Sequence, residues 1–118
     1  MILEGKIWGH TSPIFSANNV EIHRIEGKKG GISSIHKHQS KQSMLFVESG
    51  IIKIAIIKND YHLTDETILK AGQSTIISIE EWHNFEIIED AICYEIYWVT
   101  LDPHDIIRKN CGSYKPEP

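Results

Sequence analysis

Isoleucine fills about one position in five of this chain, and it comes in short runs broken by polar residues and glycine. Branched side chains are stiff at their first torsion, which disfavours helix and suits a pleated surface. Alanine and leucine, the strong helix formers, are scarce. Short apolar runs separated by turn residues are the rhythm of an all-β sandwich or barrel.

A chain of 118 residues has room for one domain and one sizeable core. The formal net charge of -4 is mild and no basic stripe is present, which argues against nucleic acid and anionic membrane as partners. Cys93 and Cys111 have no metal-binding or redox spacing and fit a reducing cytoplasm. The first residues lack the charged start and apolar run of a secretory signal, and no apolar stretch approaches membrane-spanning length. The expectation is a soluble cytoplasmic protein.

The pass along the chain predicts strands over 20–26, 32–38, 43–48, 51–58, 67–69, 74–79, 82–88 and 91–99. Ser49-Gly50, Asn59-Asp60 and Glu89-Asp90 read as turns, the first closing a hairpin. The barrel core spans about residues 20–100, and 109–118 reads as a flexible tail. Two strands carry apolar residues on both faces. Ile52, Ile54 and Ile56 oppose Ile51, Ala55 and Ile57; Ile92, Tyr94, Ile96 and Trp98 oppose Cys93, Tyr97 and Val99. A solvated face should be polar, so a second copy of the chain is expected to cover it, giving a homodimer joined by sheet packing.

Residues two apart on a strand point the same way, so His36 and His38 present two imidazoles on one face. His83 supplies a third later in the chain. Three imidazoles with open positions suit one divalent ion such as Zn, Mn, Fe or Ni. His10, His23, His62 and His104 read as surface or locally bonded histidines.

These histidines sit in a pattern that resembles the two motifs of the cupin superfamily. Gly30, His36, His38 and Gly50 match the first motif, Gly72 and His83 the second. The resemblance implies a double-stranded β-helix, or jelly-roll barrel, holding a metal on those three histidines. It also implies a glutamate ligand seven residues before Gly50, where Ser43 stands. Gln42 is a substitute ligand only if a bulge re-aims it, since its strand parity is opposite. Glu95, in the middle of an apolar strand, is the other possible source of a carboxylate. The second motif departs at Ser78, where the pattern has proline, and at Glu80, where it has glycine.

Lys6-Ile-Trp8-Gly9 and the segment Asp105-Ile-Ile-Arg108 are similar to the start and end of the C-terminal cupin domain of type II mannose-6-phosphate isomerases. Asp102 opens that closing segment, and Gly112-Ser-Tyr114 follows it. Lys41 matches a basic position of that family, whereas His36 departs from it. The implied activity is metal-dependent isomerisation or epimerisation of a carbohydrate-like small molecule. Glu95 would be the base, Lys41 a phosphate partner and Tyr97 a donor to substrate. Two other readings stay open: a cupin that binds ligand or metal without turnover, and an Fe(II)-dependent dioxygenase. Asp105 to Arg108 also reads simply as a terminal strand or turn that fastens the barrel.

Overall fold

A computed structural model describes residues 4–6, 8–58, 63–99 and 104–115. Among these residues every regular element is a strand: β1 (Glu4–Lys6), β2 (Gly9–Ser16), β3 (Val20–Gly27), β4 (Gln42–Ile57), β5 (Thr64–Lys70), β6 (Ser74–Ile77) and β7 (Trp82–Trp98). All pairings are antiparallel, in the order β1-β2-β3-β7-β4-β5, with β6 also on β4. No helix among them is long and apolar enough to cross a membrane.

The two long strands organise the barrel. The first half of β4 and the second half of β7 pair in one sheet with β3 and β2. The second half of β4 and the first half of β7 pair in the other sheet with β5. Inward side chains from both sheets form the core: Ile25, Leu45, Val47 and Cys93 from one, Ile52, Ile54, Leu69, Phe85 and Ile87 from the other. Alternation along a strand explains the division, because Ile52 and Ile54 point in while Lys53 points out.

Three sequence expectations change here. Ser49-Gly50 and Glu89-Asp90 are not hairpin turns. β4 and β7 run through both sites, and register shifts between Val47 and Ile52 absorb the bend. Gly50 makes this possible: its φ is 86°, and a Cβ there would stand 2.2 Å from the Asp90 carbonyl oxygen. Turn-forming residues serve bulges equally well. Second, 32–38 is not a strand; only Ile32 and His36 form isolated bridges, to Glu86 and His83. Third, β1 and β2 precede the expected start of the barrel; Pro13 lies on the part of β2 that β1 leaves unpaired, where a missing donor costs nothing. The expected Asn59-Asp60 turn, His62 and Asp102 lie outside the described residues.

On the β4–β5 side the outer face is salted, with Lys53 paired to Glu66 at 3.7 Å and to Glu86 at 3.1 Å. The outer face that β7 shares with β3 carries a pair as well, Arg24 with Glu26, opposite Tyr94 and Ile92.

Candidate metal centre

Gly30 and Gly31 lead into an extended segment that docks on β7. Ser33 N–H donates to the Phe85 carbonyl, His36 N–H to His83 O at 3.0 Å, and His83 N–H to His36 O at 2.9 Å. His36 and His83 are therefore a facing pair, and His38 follows on the same side. Their ring centroids lie 4.4 Å (His36–His83), 5.3 Å (His36–His38) and 5.7 Å (His38–His83) apart. One ligand atom from each falls within 4.8 Å of the others.

Hydrogen bonds fix how two of these rings can act. His36 Nδ1 lies 2.9 Å from Ser34 O, and His83 Nδ1 lies 2.9 Å from Glu81 O. A carbonyl only accepts, so both Nδ1 atoms carry a proton, and in the neutral ring the lone pair falls on Nε2. This is the orientation that supporting hydrogen bonds impose on metal-binding histidines. His38 Nε2 is buried with no hydrogen-bond partner, which is costly unless something else binds it. Burial, then the charges of Lys41, His36 and His83, push the His38 pKa down to about 4. Burial also lowers that of His83, which is 4% exposed. Neutral, convergent imidazoles are the donor set that a divalent transition ion takes, so these residues fit one. Further out, the Glu81 carboxylate accepts from Ser78 N–H at 3.0 Å and faces Lys58 Nζ at 3.3 Å, holding the turn whose carbonyl orients His83.

Beside the histidines opens a cavity of about 340 Å³, walled by Trp8, His23, Ser34, His36, Glu95 and Tyr97 among others. Glu95 faces inward, next to the histidine cluster and not within it. Its Oε2 accepts a hydrogen bond from the Tyr97 hydroxyl. Burial, followed by the Glu95 charge, raises the Tyr97 pKa, so the phenol stays a donor. Ser43 has the inward parity a ligand needs and is 3% exposed. It lines, with His36, His83 and Glu95, a void of about 10 Å³, space for one water where a longer carboxylate would reach.

The remaining candidates lie elsewhere. Gln42 pairs with Trp98 and has outward parity; the register runs regularly from Gln42 to Val47, so no bulge turns it toward the histidines. Lys41 packs its Nζ 4.1 Å from the Tyr97 ring centroid and borders a separate groove of about 90 Å³ beside Glu21 and Trp98. It is not a wall of the main cavity. Asp105 to Arg108 forms no strand, and Ile107 is 99% exposed, so this segment does not fasten the barrel.

Two cavity residues escaped the sequence reading. His23 shares the inward parity of Ile25 and packs edge-on to Tyr97 at 5.6 Å. Trp8 packs edge-on to Phe85 at 4.9 Å over Gly31, where a Cβ would come within 2.7 Å of the Trp8 side chain. The parity of His23 was legible; the wall it faces exists only once β2 and Trp8 are in place.

A rolled antiparallel barrel with its inward histidines gathered beside a cavity defines the class: the fold is that of the cupins. Three solved structures show the likeness. KdgF from Halomonas sp. superposes with a TM-score of 0.73 at 10% identity, over 86% of this chain and 90% of that one. The oxalate decarboxylase of Lactobacillus farciminis, in its formate complex, gives 0.72 at 20% identity, over 85% of this chain and 31% of that one. The cupin domain of Schizosaccharomyces pombe Cnp3 gives 0.71 at 11% identity, over 85% and 69%. This chain thus spans nearly all of KdgF and about a third of the decarboxylase. No family model matches the sequence, and no curated protein matches it.

Proposed function

We propose that this protein binds one divalent metal ion on His36, His38 and His83 and isomerises or epimerises a sugar or sugar phosphate. The observation that carries the reading is the ligand set: three nitrogens within 4.8 Å, two tautomers fixed by backbone carbonyls, and one buried nitrogen without a partner. His36, His38 and His83 would hold the ion, which would supply Lewis-acid polarisation of a substrate carbonyl and so make the adjacent C–H more acidic. Glu95 is the group beside the histidines suited to take that proton and return it. Tyr97 holds one oxygen of that carboxylate and leaves the other for substrate. Trp8 and Phe85 shield one wall from water. Lys41, across Tyr97 from this work, attracts a phosphate as a point charge outside the cavity.

The test has two arms. Protein purified without a histidine tag is expected to carry close to one equivalent of divalent metal, and His36→Ala and His83→Ala to lose it. In D₂O, the wild type is expected to wash deuterium into the carbon beside the carbonyl of an aldose or its 6-phosphate. Glu95→Gln keeps the metal and slows that exchange by about 100-fold or more. A wild type that binds no metal supplied in excess overturns the reading, and an unchanged rate in Glu95→Gln removes Glu95 as the base. Ser43, standing where the cupin pattern has a carboxylate ligand, favours a second reading: a binding protein that holds metal and ligand without turnover. Stoichiometric metal with no exchange on any sugar tried supports that alternative.

A further inference from the structure

The cavity beside the histidine cluster has a wall built from two neighbouring strands, and that wall carries polar side chains in register. Glu21 of β3 stands opposite Tyr97 of β7, His23 opposite Glu95, and the buried Ile25 opposite the buried Cys93. Directly opposed residues share a face, with Cβ atoms about 5 Å apart, so His23 and Glu95 rise side by side into the same space. His23 also packs edge-on against Tyr97, whose hydroxyl donates to Glu95. Its Nε2 lies 3.3 Å from Glu21 Oε2. An ionised carboxylate only accepts, so Nε2 carries a proton and, in the neutral ring, the lone pair falls on Nδ1. Glu21 thereby sets the tautomer of His23. The contact is too exposed to be a main support of the fold.

We propose that His23 is a second proton carrier of this site, moving the proton between substrate oxygens while Glu95 moves the one on carbon. The inference rests on the sugar-isomerase reading above and narrows it. An aldose becomes a ketose by two proton shifts. Glu95 takes the proton from C2; the C2–H pair becomes the C1–C2 double bond, and the carbonyl pair moves onto O1. His23 takes the O2 proton on Nδ1 and hands it to O1. The O2 pair re-forms a carbonyl at C2, the double-bond pair moves to C1, and Glu95 returns its proton there. No outside oxidant or reductant is needed. Imidazole suits the oxygen step because it takes up and releases protons near neutral pH. Inversion at C2 makes a different demand: no transfer between oxygens, and an acid on the face opposite the base. Among the described residues, the remaining cavity walls offer Trp8, Phe85, Thr11, Ser33 and Ser34, with His36 assigned to the metal and Tyr97 on the same strand as Glu95. None of these supplies the second acid, so the wall suits isomerisation and not epimerisation.

Mannose, glucose and their 6-phosphates, followed in D₂O for ketose and for deuterium at C2 together, test this. The wild type is expected to give ketose as its first product. His23→Asn is expected to keep its metal content and circular dichroism, and to lower the ratio of ketose formed to deuterium taken up at C2 by about 100-fold. Loss of structure or of metal depresses both quantities and leaves their ratio, so the ratio reports the oxygen step alone. His23→Gln serves in the same way where the asparagine variant is unstable. Glu21→Ala is expected to lower the ratio in the same direction, and an unchanged ratio there removes Glu21 as the positioning residue. A wild-type ratio in the His23 variants, or the C2 epimer as first product, overturns the inference while leaving metal-assisted proton abstraction standing. A wild type that exchanges no deuterium on any of these sugars overturns both.

Discussion

Glu80 holds a φ of 65°, left-handed backbone in a residue with a long side chain. That conformation costs about 1–2 kcal/mol outside glycine. Its N–H donates to His38 O at 2.8 Å, and its carboxylate lies 3.3 Å from Lys37 Nζ. The backbone bond ties the turn to a histidine of the metal centre, so the conformation is required whichever residue occupies it. The pattern that the sequence resembles has glycine here, and this chain adopts the left-handed conformation with glutamate. An exposed ion pair returns less than the backbone costs. Glu80→Gly is therefore expected to raise stability by about 1 kcal/mol, seen as a melting temperature a few degrees higher; a lower one would mean that the Lys37 pair outweighs the backbone. The three histidines were legible in the sequence through the two-motif pattern it resembles, not through strand parity, since 32–38 is bridged only at Ile32 and His36. The inward reach of Glu95 was only half legible, since parity gives a face and tertiary packing decides what the face meets.

At the scale of elements, the turn dipeptides misled. Ser49-Gly50 and Glu89-Asp90 carry the chemistry of hairpin turns, yet both lie inside continuous strands. A turn and a bulge ask for the same backbone freedom; what separates them is whether the partner strand continues, and no short window of sequence records that. Gly50 is where β4 and β7 bend together, against the backbone of Asp90 and Ala91. Any side chain there meets main chain that cannot step aside, and a left-handed φ adds to the cost. Gly50→Ala is expected to lose at least about 2 kcal/mol in urea unfolding, with the neighbouring exposed Ser49→Ala close to neutral. Equal effects at the two positions would remove the special role of the glycine.

At the scale of the molecule, the histidine cluster joins a docked segment to β7, and the unfolded chain has no such convergence. Metal should therefore bind the folded state alone and raise its stability by mass action. At free metal near 100 times the dissociation constant, the gain is about 2.7 kcal/mol, or about 10 °C in melting temperature for a domain of this size. Melting with and without chelator measures it, and His83→Ala should abolish the difference; a chelator-insensitive wild type contradicts metal linkage. Fold class was legible at this scale from composition and turn rhythm together. The ion pairs that cross the outer face of β4 were not, because Lys53 finds its two glutamates on other strands.

The length of β4 and β7 has a consequence in time. Gln42 pairs with Trp98 and Ile57 with Trp82, so the central ladder closes only after the chain between them has been laid down. Topologies dominated by such distant pairings fold in milliseconds to seconds, far more slowly than helical bundles. During that interval the His36–His38 pair exists without His83. On the proposed ligand set, an ion arriving early would find two ligands of three, and the full grip would come with β7.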